Sequence, residues 1–268
     1  MWYSGSGGSV SQRVFTLGVA TSRDGVHFEK YSTNPVLRFK GDYSILTPTL
    51  LRATDGSLLR EKGRLRLWFS SCDFPAQNPL HTLHETGSED GITWDTPSAA
   101  QLENIYAPTI IKEHNRYLMW YVDVVADPWY FRFAESHDGI NWQVHPQPVL
   151  ELDQTWEHQR LFYPTVLKDG NTYLMWYGSY SSHGAGKEMK TALGFAASCD
   201  GLHWQKHPHN PVFGPDETRA WESHYTTSQS VLRTEDGRWR LWYAARPQPP
   251  FDHKYFAIGT AIWEGLQT

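Results

Sequence analysis

Asp42, Glu103, Glu157 and Glu222 each stand five to seven residues ahead of an equivalent position in four copies of one sequence unit. The four stretches read GDYSILTP, LENIYAP, TWEHQRLFYP and AWESHYTTSQ, with Gln229 replacing the proline in the last. Trp156-Glu157 aligns with Trp221-Glu222 without a gap. Carboxylates converging on one funnel would supply what cleavage of a glycosidic bond requires, an acid and a base on opposite sides of a sugar ring. Acidic residues also cap exposed loops by accepting backbone N–H groups, and each of the four alone fits that role equally well. As a set they favour catalysis.

Polar companions accompany them. His158 and Arg160 follow Glu157, His224 and Tyr225 follow Glu222, and Asn104 and Tyr106 follow Glu103. Other loops add Asp73, Asp123, Asp127, Trp129, His183, Lys187, Arg246 and His253. Trp129 beside carboxylates and arginine suits stacking on a sugar face while polar groups take its hydroxyls, although packing alone explains it equally well. No compact spacing of His, Asp and Glu occurs, so neither a catalytic metal nor another cofactor is expected.

The elements that must position these residues repeat. In the unit Trp156–Pro211, apolar runs of four to eight residues alternate with Gly, Asp, Asn and Pro, the mark of short antiparallel strands. They are A (Tyr163–Lys168), B (Thr172–Tyr180), C (Thr191–Ser198) and D (His203–Val212). Strand B recurs five times, with its tryptophan at Trp2, Trp68, Trp120, Trp176 and Trp242, spaced by roughly 50 to 66 residues. That period predicts an all-β, five-bladed propeller of four-stranded antiparallel blades, in one domain over residues 1–268. Blade 2 is expected over about 43–96, blade 3 over 105–150, blade 4 over 162–213 and blade 5 from Ser228. The first blade opens in the middle of a strand B and lacks its inner strand, for which a start placed too late is the favoured explanation.

In a four-stranded meander the D-to-A connections and B–C loops share one face, and the A–B and C–D turns share the other. The four acidic residues belong to the first face. The Asp-Gly turns at Asp24, Asp90, Asp138 and Asp200 belong to the second, and turn chemistry explains them better than ligand binding. The aromatic that follows each (Phe28, Trp94, Trp142, Trp204) is expected between blades. Eight of the 13 tryptophans are therefore scaffold, and tryptophan richness alone is no argument for a sugar site.

Net charge of −5 with scattered signs disfavours a nucleic-acid partner. No apolar run is long enough to span a membrane and no signal peptide begins at Met1, so a cytoplasmic location follows if Met1 is the true start. Cys72 and Cys199 fall at opposite ends of a blade and are expected as free thiols.

The repeated PTVLKDG–YLMWYGS–LGFAASCDG–LHWQKHPHNPV pattern resembles the five-bladed propeller glycosidases of the arabinanase, levansucrase and invertase type. It is also similar to the related mannoside phosphorylases, in which S-x-D-G-x-x-W … N-P-V recurs. The resemblance covers the whole chain but rests on scaffold motifs. It implies a glycoside hydrolase-like protein acting on a small-molecule or oligosaccharide substrate in the central funnel by general acid/base catalysis. By position Glu157 matches the acid of such enzymes and Glu103 falls near a second carboxylate. His224 resembles a channel histidine that helps hold an ion or water. Three departures stand: the first-blade Asp has no counterpart, Glu103 replaces the usual Asp, and no Glu-Gly-Pro or Asn-Asp-Pro motif occurs. Two alternatives remain, a non-catalytic sugar-binding propeller and a phosphorylase with Arg160, Arg246, His158 and His224 around phosphate. A sialidase-type propeller lacks support, since no arginine triad is evident.

Overall fold

A computed structural model describes residues 1–7, 13–41, 43–74, 76–77, 79–183, 188–248 and 256–263. Five sheets are arranged as the five blades of a propeller. Blade 1 holds β1 (Trp2–Ser6), β2 (Phe15–Thr21) and β3 (Glu29–Lys30). Blade 2 holds β4 (Ser44–Leu50), β6 (Leu65–Cys72), β7 (Thr82–Ser88) and β8 (Leu102–Glu103). Blade 3 is built from β9 (Ile105–Glu113), β10 (Arg116–Asp123), β11 (Tyr130–Ser136) and β12 (Gln143–Val144). Blade 4 comprises β13 (His158–Asp169), β14 (Thr172–Tyr180), β15 (Thr191–Ser198) and β16 (Gln205–Lys206). Blade 5 comprises β17 (Tyr225–Arg233), β18 (Trp239–Arg246) and β19 (Ala257–Trp263).

Strand number departs from four in three blades. Among the described residues blades 1 and 5 have three strands each. Blade 3 gains a fifth, because β5 (Arg52–Ala53) leaves blade 2 and pairs in parallel with β9. Strand D of blade 4 is also shorter than expected, at two residues. Pro208 and Pro211 cannot donate to a ladder. The side chain of Asn210 stands in for it: Oδ1 accepts from Phe195 N at 2.9 Å and Nδ2 donates to Phe195 O at 3.0 Å.

Apolar faces meet between blades, not within them. Ile111, Leu118 and Trp120 of blade 3 pack on Val166, Tyr173 and Met175 of blade 4. Leu17 of blade 1 packs with Ile45, Leu67 and Phe69 of blade 2. The Asp-Gly turns contribute to these contacts. In each, the Asp Oδ1 accepts two backbone N–H groups, as Asp138 does from Ile140 and Asn141, both at 2.8 Å. Gly139, with φ of +75°, brings its carbonyl to Trp68 Nε1 of the preceding blade, and a Cβ there would sit 3.0 Å from that indole. Only glycine satisfies both conditions. Trp142 and Trp204 then lie edge-on to Trp68 and Trp120, as expected of inter-blade aromatics.

The inner strands share one irregularity. Thr47, Ala107, Tyr163 and Ser228 occupy the same repeat position and all have φ between 47° and 53°. At each the register with strand B slips, a β-bulge that re-aims the side chains ahead of it. Both cysteines are free, Cys72 buried and Cys199 exposed.

Candidate active site

Tyr106, Phe162, Tyr163 and Tyr225, at or just ahead of three of these bulges, meet aromatic and cationic side chains at the ends of the neighbouring strands. They form a circuit of successive contacts that runs from blade 1 to blade 5. Arg13 lies over the Phe15 ring at 5.7 Å, and Phe15 meets Phe74 edge-on at 6.5 Å. Phe74 contacts His81 at 6.3 Å, and His81 contacts Tyr106 at 5.3 Å. The hydroxyls of Tyr106 and Tyr163 are 2.6 Å apart. Phe162 links Tyr163 to Tyr180, which faces Tyr225 at 6.5 Å between ring centres. Tyr225 pairs across the ladder with Arg246 of blade 5.

Burial governs the electrostatics here. It is the largest cause raising the phenols of Tyr106, Tyr180 and Tyr225, so all three remain hydroxyl donors. It pushes His81 down to about 4, and lowers His224 as well. Arg246, fully buried, is pushed down to about 10 by burial first and by the Arg13 charge second. Several polar atoms around the mouth are enclosed without a hydrogen-bond partner among the described residues: Ser71 Oγ, Asp73 Oδ1, His81 Nδ1, His224 Nε2 and Thr227 Oγ1.

Of the residues expected at the site, Tyr106, Tyr225 and Arg246 lie in the circuit. Trp129 joins it through Tyr106, at 6.0 Å. Arg160 stacks on Trp129 at 4.1 Å and forms a two-pronged ion pair with Asp127, at 2.6 and 2.9 Å. It does not pair with Glu157. His224 stacks on Tyr225, and His158 meets His183 with ring centres 3.7 Å apart.

The carboxylates are disposed differently from one another. Glu157 Oε1 accepts from Tyr177 Oη at 2.7 Å; Oε2 accepts from Asp153 N at 2.9 Å, Gln154 N at 3.1 Å and Lys206 Nζ at 2.7 Å. Its side chain is 0% exposed and faces Lys206 of the outer strand β16. Glu222, on a 3-10 turn (Ala220–Glu222), repeats the arrangement: Oε2 accepts from Tyr243 Oη at 2.5 Å and Oε1 from Arg219 at 2.9 Å. Trp156 and Trp221 pack on Tyr177 and Tyr243 respectively. Each Trp-Glu unit thus seats its carboxylate on the strand-B tyrosine of its own blade, and Glu157 also reaches strand D through Lys206. Glu103 is exposed at the end of β8, on the rim, and Asp123 is held by Arg132 at 2.6 Å. Asp42, Lys187 and His253 lie outside the described residues.

Tyr163, Tyr180 and His81 escaped sequence reasoning. Tyr163 immediately precedes the repeated proline, a position that carries a different residue in each blade, and nothing local announces its left-handed backbone. Among the described residues no three His, Cys, Asp or Glu side chains are grouped to hold a metal, and no helix is long and apolar enough to cross a membrane.

Residues 89–199 match the family model described as beta-1,4-mannooligosaccharide phosphorylase. Two curated relatives, uncharacterized proteins from two strains of Mycobacterium tuberculosis, are 37% identical over 102 residues, which is 37% of this chain and 31% of theirs. The match therefore spans under a third of those relatives' length. A solved glycoside hydrolase superposes with a TM-score of 0.73 at 14% identity, covering 97% of this chain and 86% of that one. A structure described within the mannoside phosphorylase family, among glycoside hydrolases that target β-1,2 mannosidic linkages in Candida mannan, gives 0.67 at 17% identity, covering 98% and 80%. Levansucrase from B. subtilis gives 0.61 at 8%, covering 84% and 69%. The chain has the five-bladed fold of these carbohydrate-active enzymes. Over its central blades it resembles the mannoside phosphorylases in sequence.

Proposed function

We propose that the chain takes an oligosaccharide at this mouth and breaks a glycosidic bond there. The observation that carries the reading is the run of aromatic and cationic side chains in contact from blade to blade. Aromatic faces suit the C–H faces of a sugar, while enclosed hydroxyl and imidazole groups without partners are matched by its hydroxyls. The family description matched over residues 89–199 supports the same substrate class.

Cleavage needs a proton donor at the leaving oxygen. We assign this role to Asp73, whose Oδ1 is enclosed without a partner among the described residues, beside Cys72 and Phe74. Glu157, Glu222 and Asp127 already serve protein donors, and Glu103 stands at the rim. Hydrolysis would require a second carboxylate to activate water, whereas phosphate arrives as an anion and needs a cationic seat. Arg246, fully buried and paired across the ladder with Tyr225, favours phosphate as the nucleophile.

The deciding experiment is a panel of aryl glycosides and manno-oligosaccharides assayed with and without inorganic phosphate. Sugar phosphate formed only with phosphate supports phosphorolysis, and reducing sugar released without it supports hydrolysis. Binding on a glycan array without turnover would reduce the proposal to a sugar-binding propeller. The absence of both binding and turnover would overturn it.

A further inference from the structure

Blade 1 contains a cleft of about 530 Å³ bordered by Tyr3, Gly18, Lys30, Asn34, Pro35 and Arg38. The internal repeat identifies its counterpart in blade 4. Tyr3 faces Gly18 across the ladder as Tyr177 faces Gly194, and Lys30 faces Ala20 as Lys206 faces Ala196. Asn34 Nδ2 donates to Tyr3 Oη at 3.3 Å and to Val19 O at 2.8 Å; Asn210 Nδ2 donates to Tyr177 Oη at 3.1 Å and to Phe195 O at 3.0 Å. The two seats are built alike.

In blade 4 the seat is filled by Trp156-Glu157. The carboxylate takes the Tyr177 hydroxyl and the Lys206 ammonium, and the indole fills the space left by Gly194, where a Cβ would lie 2.8 Å from Trp156. Blade 5 repeats the fit: Glu222 takes the Tyr243 hydroxyl, and a Cβ at Gly259 would lie 2.6 Å from Trp221. In blade 1 Lys30 is exposed, and among the described residues β1 pairs only with β2.

We propose that the blade 1 cleft is a binding site for an extended peptide segment carrying Trp-Glu, with the glutamate on Tyr3 and Lys30 and the indole over Gly18. Arg38 adds a second positive charge beside the carboxylate, and the strand that follows the dipeptide adds to the edge of β1. The chain's two aligned Trp-Glu units are already seated, and Trp263 is packed on Trp176 and Phe195. The occupant is therefore a polypeptide segment other than these.

The test uses a fluorescein-labelled peptide copying residues 155–168, TWEHQRLFYPTVLK, titrated into the full chain by anisotropy. Saturable binding is expected, weakened about tenfold or more by Glu→Gln or Trp→Ala in the peptide, the scale of one charge-assisted hydrogen bond or one buried aromatic. Tyr3→Phe and Lys30→Gln in the protein should weaken it similarly, and both substitutions are mild enough to keep the blade folded. No binding, or binding unchanged in both protein variants, would overturn the assignment.

Discussion

The indole Nε1 of Trp242 donates to the carbonyl oxygen of Gly25 at 2.7 Å, and this bond fastens blade 5 to blade 1. Trp2 does the same to Gly91 at 2.8 Å, Trp68 to Gly139 at 3.1 Å and Trp120 to Gly201 at 2.7 Å. Four of the five strand-B tryptophans thus reach the Asp-Gly turn of the next blade round the ring. Trp176 differs: among the described residues it packs on Trp239 and Trp263 instead.

This difference predicts unequal costs for one substitution. Trp68→Phe should lose about 1–3 kcal/mol more stability than Trp176→Phe, because only the former leaves a buried glycine carbonyl, that of Gly139, without its donor. Urea unfolding of the two variants measures the gap. Equal losses would mean that the indole bonds add nothing beyond packing.

Glu157→Gln is expected to act on stability. All four partners of Glu157 are donors, so an amide nitrogen there would face another donor, and Lys206 would lose its buried partner. The loss should be about 3 kcal/mol, the usual scale for breaking a buried ion pair from one side. Turnover of substrates with good and poor leaving groups should change together. A selective loss of a hundredfold on poor leaving groups, with stability intact, would restore Glu157 as the acid.

His81 gives the stability a pH dependence of known sign. Its folded value, about 4, lies below the ordinary histidine value, so the unfolded chain binds a proton that the folded chain does not. Its contribution is complete above about pH 6.5 and is lost as pH falls toward 4. Between pH 7 and pH 5 the wild type should therefore lose more stability than His81→Phe. Parallel losses would show that His81 protonates in the folded state as readily as in the unfolded one.

Trp129 stands at the mouth with Arg160 on one face and Tyr106 near its edge. Trp129→Ala should weaken oligosaccharide binding roughly tenfold, the upper range for one aromatic contact, while leaving the unfolding midpoint within about 1 kcal/mol of wild type. Calorimetric titration with the best ligand from the panel checks this. Unchanged affinity would place the sugar elsewhere on the propeller.

The sequence by itself determined the parts set by short-range physics. Alternating apolar residues and Ser-x-Asp-Gly turns act over a few positions, and strands B and C of blade 4 fall at Thr172–Tyr180 and Thr191–Ser198, as the pattern predicts. The five tryptophans announced five blades because their spacing is that of a repeated unit. Tertiary structure decided where the side chains ahead of each inner strand point. One left-handed residue on the inner strand of each of blades 2 to 5 shifts the register, and with a side-chain period of two such a shift exchanges the faces. It sends Tyr163 to the mouth, whereas Glu157 is drawn to Lys206, 49 residues further along the chain. No local pattern encodes that choice, because it is made by an ammonium that only folding brings near.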